Sequence, residues 1–257
     1  MLLWCVLPGS TSAQSNDGAT NPRLKTLGIN VALGGLTGGV VQLARGHSFF
    51  KGMLRGSAGG ATVFLGKCII ARQTRIGDWV GLRTASIGGS MIANASAGRG
   101  LFEQIGIPLG PIRITRDDKT GRVGMKLDLA ETGSIIYMAR RPHSTFSWTK
   151  SVKHGLPIFE GGFYGDREIV RVLSMNSESS RSAYVHETVH AAQGEFLVTA
   201  WQEPFEEAVL GVIPGGKTIT RYFDIGMLYP LWNVLNHSIR HGDRSWEQEA
   251  EFLENGC

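Results

Sequence analysis

Cysteine is scarce: Cys5, Cys68 and Cys257 are the only three in 257 residues. That excludes a disulfide-stapled scaffold, and a chain of this length can bury a core without one. If a leader carrying Cys5 is removed, two cysteines remain, enough for one bridge and too few for a framework. Blocks of Lys and Arg interleaved with aromatics are also missing, and the net charge is only +4. A nucleic-acid partner is therefore not expected. Charge vanishes altogether from Thr26 to Ala44.

Glycine, by contrast, is abundant, with 35 residues against an average usage of about 7%. Its placement is regular. Gly52, Gly56 and Gly60 recur at intervals of four, and Gly77, Gly81, Ala85, Gly89, Ala93 and Ala97 form a second small-residue stripe. Such stripes make flat helix faces that admit another helix closely. Glycine costs helix stability, so regular spacing points to packing as its cause. Three helices are expected, near 26–44, 48–72 and 76–97. The first is long enough to span a bilayer, but its glycines, Asn30 and Gln42 lower its hydrophobicity. The second carries Lys51, Arg55 and Lys67, and the third Asp78 and Arg83. A packed helical layer is the expectation, with peripheral membrane association as the alternative.

Ahead of these helices, residues 1–13 read as a secretory signal: a short apolar run, Pro8-Gly9, then small residues at Thr11 and Ala13. No positive charge precedes the apolar run, and Trp4 stands where lipidation of Cys5 would need a small residue. From Pro108 onward the pattern alternates. Strands are expected at 111–116 and 122–129 around an Asp117–Gly121 turn, and again at 134–140 and 168–173. A loop is expected from Gly155 to Gly165.

His186-Glu187-Thr188-Val189-His190 is the run that carries chemistry. Two histidines four apart share a helix face and can bind one Zn²⁺, with the intervening Glu placed to move protons for metal-activated water. A random chain of this length shows H-E-x-x-H about once in 150 cases, so its context matters. Ser180 or Ser182 offers an N-cap. Val185, Val189, Ala192 and Phe196 give a buried stripe, and Pro204 is expected to close the helix. Catalytic zinc takes three protein ligands. A third His six residues on is ruled out, because Phe196 stands there. The acidic helix-prone segment 244–254, with Trp246, Ala250 and Leu253 as its packing stripe, offers Glu247, Glu249 and Glu251. Glu203, Glu206 and Glu207, placed on a turn by Pro204, are further candidates, as are His237, His241 and Asp243.

The pair of motifs, His186-Glu-x-x-His190 and Glu247-Gln-Glu-Ala-Glu251, resembles the gluzincin pattern of zinc metallopeptidases. The wider stretch, about 180–255, is similar to small bacterial HExxH metallopeptidases. The resemblance implies His186, His190 and Glu247 as metal ligands, Glu187 as general base, and Glu251 as a carboxylate supporting a ligand histidine from behind. Glu251 stands where the family more often has Asp. Tyr222, Tyr229, His237 and His241 lie between the two motifs as candidate oxyanion stabilisers.

The expected protein is α+β. A glycine-rich helical N-terminal layer (24–107) precedes a small antiparallel β-sheet and zincin-type helices carrying the metal site (108–257). The expected activity is hydrolysis of a peptide or protein substrate with Zn²⁺ as cofactor, in an exported setting. The alternatives are an envelope-associated structural or binding protein with a structural or vestigial zinc site, and a zinc amidase on a non-peptide substrate.

Overall fold

A computed structural model describes residues 21–255 apart from 75, 162–166, 227 and 229–244. The expected signal at 1–13 lies outside these residues, as do Cys5, Cys257, Tyr229, His237, His241 and Asp243. The protein is a mixed α+β fold.

Helix α1 (Pro22–Ala44) begins at Asn21, whose side chain accepts from the Arg23 N–H at 3.0 Å, with Pro22 at the first helical position. Helix α2 (Phe49–Ala71) is capped by Ser48, and α3 (Gly77–Ser96) carries Asp78 in its first turn. These spans match the expectation closely. The stripes explain the packing. Gly52, Gly56 and Gly60 of α2 lie against Gly38, Gly34 and Asn30 of α1, so closely that a Cβ would meet backbone. A neighbouring face of α2 presents Gly59 and Gly66 to Gly88 and Gly81 of α3. A Cβ on Gly88 would stand 2.7 Å from the Gly59 carbonyl oxygen. The face of α3 that meets α2 thus runs 81–85–88, while Gly89 turns toward Thr199 instead. Helix α1 is long and apolar enough to cross a membrane. Leu36, Val40 and Leu43 of α1 are exposed, as are Phe50, Leu54 and Leu65 of α2.

Strand β1 (Gln104–Leu109), absent from the expectation, pairs antiparallel with β2 (Ile112–Asp117), and β2 with β3 (Val123–Asp128). The Asp117–Gly121 turn falls where expected. Residues 134–140, expected as a strand, lie in helix α4 (Leu129–Ala139) up to its C-cap at Arg140. Asp128 caps α4 by accepting from the Glu131 N–H at 2.8 Å. The inward residues Glu131, Ser134, Ile135 and Met138 follow a helical spacing that outweighs the β-branched Ile pair. Next come β4 (Thr145–Phe146), α5 (Trp148–His154), β5 (Ile158–Glu160), β6 (Arg167–Ile169) and β7 (Val172–Met175). The expected 155–165 loop therefore contains β5, and the expected single strand at 168–173 is a hairpin. Its two-residue turn has positive φ at both Val170 (49°) and Arg171 (63°), a type I′ geometry usually given to Asn-Gly.

Helix α6 (Arg181–Leu197) holds the HExxH run, with the Ala183 N–H donating to Ser180 Oγ at 3.2 Å. Pro204 does not close it. The chain passes through one π-turn (Val198–Gln202) straight into α7 (Glu203–Leu210), so helical structure runs on past Pro204. Helix α8 (Gly216–Tyr222), β8 (Phe223–Asp224) and α9 (Ser245–Glu254) follow. Among the described residues there are two sheets, ordered β1-β2-β3-β8 and β4-β5-β7-β6. The pairs β3–β8 and β5–β7 are parallel, so neither sheet is wholly antiparallel as expected.

One core joins the two halves. Phe64, Ile70 and Leu82 from the glycine-rich helices pack with Leu173, Val185, Val189, Ala250 and Leu253. The expected boundary at 107/108 falls inside β1. A buried ionic cluster orients α6 against the sheets. Arg113 of β2 bonds both oxygens of Glu195 on α6, at 2.7 and 3.0 Å. Arg171, in the positive-φ turn, reaches Glu195, Asp128 and Glu131, and these contacts hold the turn. Burial works against the Glu195 charge, but Arg113 and Arg171 outweigh it and hold the carboxyl at about 2. Burial lifts Glu131 to about 7, against the pull of Arg171.

Candidate metal centre

Helix α6 turns Val185, Val189 and Ala192 into the core. That rotation leaves His186 and His190 on a neighbouring, half-buried face. Helix α9 crosses them, anchored by buried Trp246, Ala250 and Leu253, and it brings Glu247 onto the histidine pair. The His186 and His190 Nε2 atoms are 3.1 Å apart. Glu247 Oε2 lies 3.1 Å from His190 Nε2 and 3.5 Å from His186 Nε2. A tetrahedral zinc with ligands at about 2.0–2.1 Å would hold its donors about 3.3–3.4 Å apart. The 3.1, 3.1 and 3.5 Å triangle fits that demand, and among the described residues this is the group able to hold a metal ion. Among the described residues no Cys and no third His joins the triangle.

Each imidazole is held from behind. Glu254 Oε2 stands 3.1 Å from His186 Nδ1, and Gln193 Oε1 stands 2.8 Å from His190 Nδ1. The expected support, Glu251, is exposed. Glu254, seven residues after Glu247 and so nearly two full turns on, takes that place. Glu249 also points inward, where it meets Lys67, Asn30 and Gln193. Glu206, expected on a turn, is buried on α7 and accepts from the Ile225 and Gly226 N–H groups. Tyr222 is exposed at the end of α8, which packs on α7, β3 and β8.

No protein-family model, curated protein or solved structure matches this chain.

The chemistry of the centre follows from its charges. The hydrogen bond to Glu247 lifts the His186 pKa above its ordinary value. Burial pulls His190 down, but Glu247 outweighs it and lifts the imidazole to about 9. A metal bound there would displace protons, so uptake is pH-dependent. Burial lifts the Glu187 carboxyl to about 7, with the two histidines opposing. A carboxyl poised near neutrality can both accept and return a proton. Strand β6 packs beside α6, and its Glu168 adds negative potential at Glu187. Among the described residues β6 is an edge strand, paired only with β7.

Sequence reasoning missed Lys67, Asn30, Gln193 and Glu254. A signal for Lys67 existed: it is a lone cation within the apolar run Ala61 to Ala71.

Proposed function

We propose that the protein is a zinc-dependent metallopeptidase working outside the cytoplasm. The observation that carries this reading is the triangle of His186, His190 and Glu247 donors, with Glu187 on the same helix. Zinc bound there would lower the pKa of a coordinated water to about 7 and polarise the scissile carbonyl. Glu187 takes the proton of the attacking water and returns it to the leaving amine. Glu254 and Gln193 hold the histidine rings. The open edge of β6 receives an extended peptide by backbone hydrogen bonds. Cys68 is disulfide-bonded, which supports an oxidising compartment and hence export.

Metal analysis of the purified chain should find about one zinc, lost in His186→Ala. Glu187→Gln should keep the metal and lose cleavage of a mixed peptide library. A folded wild type that takes up no metal at saturating zinc removes the proposal, and unchanged turnover in Glu187→Gln removes the base. A second reading, an envelope-associated binding protein, is favoured by the exposed Leu36, Val40, Leu43, Phe50 and Leu54 on α1 and α2. It requires flotation with lipid vesicles that Glu187→Gln does not alter; a chain that stays with the soluble fraction removes it.

A further inference from the structure

The sheet β1-β2-β3-β8 turns its polar side inward. Residues directly opposite each other on neighbouring strands share a face, so the register sorts the side chains into two sets. The inward set includes Arg113, bound to Glu195 of α6, Asp128, bound to Arg171, and Asp224, bound to Gln202; all three are buried. The outward set is apolar. Ile107 lies opposite Ile114, and Ile114 opposite Met125. Leu109 lies opposite Ile112, Ile112 opposite Leu127, and Leu127 opposite Phe223. Ile105, Arg116 and Val123 complete the face in the same way. An antiparallel sheet with one wet side ordinarily turns its apolar set to the core and its polar set to water. Here the assignment is reversed. None of the outward residues is buried, and Val123 and Met125 are 67% and 66% exposed.

We propose that this face is where two copies of the chain meet, sheet against sheet, about a twofold axis. Its apolar side chains leave on the order of 600 Å² open, the top of the range for the largest patch on a monomer. Paired with itself the face buries on the order of 1,200 Å² in all, where specific stable interfaces begin. A twofold interface must also be complementary to itself. The face carries a single charged residue, Arg116, at one end, and Asp118 of the same chain answers it at 3.1 Å. Self-pairing therefore brings no uncompensated like charges together. The same composition leaves an anionic lipid surface or an acidic peptide one cation to recognise. Strands of the two copies stack about 10 Å apart, with their side chains interleaved. None of these residues belongs to the metal centre, so the inference stands apart from the zinc reading.

Sedimentation equilibrium of the full chain across micromolar concentrations should carry the mass from 27.9 kDa to twice that value. Met125→Lys puts an unpaired charge into the buried interface and should weaken dimerisation at least about 100-fold. Val152→Lys, at an equally exposed apolar position on α5, should leave it unchanged. If Met125→Lys does not fold, Val123→Thr keeps the β-branched shape and buries only a hydroxyl, for a weakening of about tenfold. A benzophenone side chain introduced at Met125 identifies the occupant. In mixed isotope-labelled and unlabelled chains, its photo-crosslinks should join residues 105–127 of two different copies. A chain that stays monomeric across the range overturns the inference. So does a dimer that Met125→Lys leaves intact, or a crosslink that lands outside this sheet. Binding to lipid vesicles that Met125→Lys abolishes, with no dimer, assigns the face to a membrane and overturns it as well.

Discussion

Gly60→Ala adds one methyl group at the closest approach of α1 and α2. The new Cβ would meet the Asn30 carbonyl oxygen and stand 2.8 Å from the Asn30 carbonyl carbon. Ordinary carbon contacts begin near 3.5 Å, so the helices must part by roughly 0.7 Å or more. Backbone meets backbone here, and no side chain can swing aside. A gap of that size forfeits about a quarter to a half of each dispersion contact along the interface. Overpacking of this kind costs about 1–3 kcal/mol, and the gain from replacing a helical Gly recovers about 1 kcal/mol at most. The high end of the range applies because Gly56 is equally close to Gly34 one turn away. A net loss of about 2 kcal/mol should lower the midpoint by about 4–8 °C for a chain of this size. Gly28→Ala is the control: no atom lies within 4 Å of its Cβ position, so the same chemical change should stabilise by about 0.5–1 kcal/mol. Thermal melts followed by far-UV circular dichroism decide the matter. If Gly60→Ala melts at or above the wild-type temperature, the account of the stripes as backbone contact is wrong.

Two further outcomes are expected. Glu254→Ala should weaken zinc binding about tenfold by releasing His186 Nδ1, whereas Glu251→Ala should not; equal effects in a competition titration contradict the assignment of Glu254. Glu131 is raised from 4.5 to about 7, so the native state binds the extra proton between those values. Stability is therefore highest below pH 4.5 for this group, and about 3 kcal/mol is lost as pH rises to 7. Glu131→Gln should remove that slope and gain on the wild type across the window. Parallel urea-midpoint curves from pH 4.5 to 8 for the two proteins contradict this.

The parts of the fold that were legible were those governed by local spacing. Four-residue glycine repeats placed α1, α2 and α3, and the caps and the Val185–Val189–Ala192 stripe placed α6. Where local signals competed, the reading failed. Ile135-Ile136 suggested a strand until the Asp128 cap started a helix. Pro204 suggested a stop, but the helix runs on past it through the π-turn at Val198–Gln202. Val170-Arg171 carries no turn signature, because the buried partners of Arg171 hold the turn in place of glycine. At the site, the motif residues come together as their spacing suggested, while Lys67 and Asn30 reach Glu249 across 182 and 219 positions of sequence. No periodicity reports a contact that distant. Glu254 and Glu251 flank the Glu247 direction on α9, and only the crossing with α6 decides which one reaches His186.

The shared core has a practical consequence for anyone trimming this chain. A fragment starting at residue 108 retains every residue of the motif and would pass as a minimal catalytic unit. It would lack most of β1, leaving the β2 edge open to other chains. It would also uncover Val185 and Val189 where Phe64 and Leu82 now pack, and strip Glu249 of its only ion-pair partner among the described residues. Such a fragment should aggregate, and its inactivity would say nothing about the candidate metal centre.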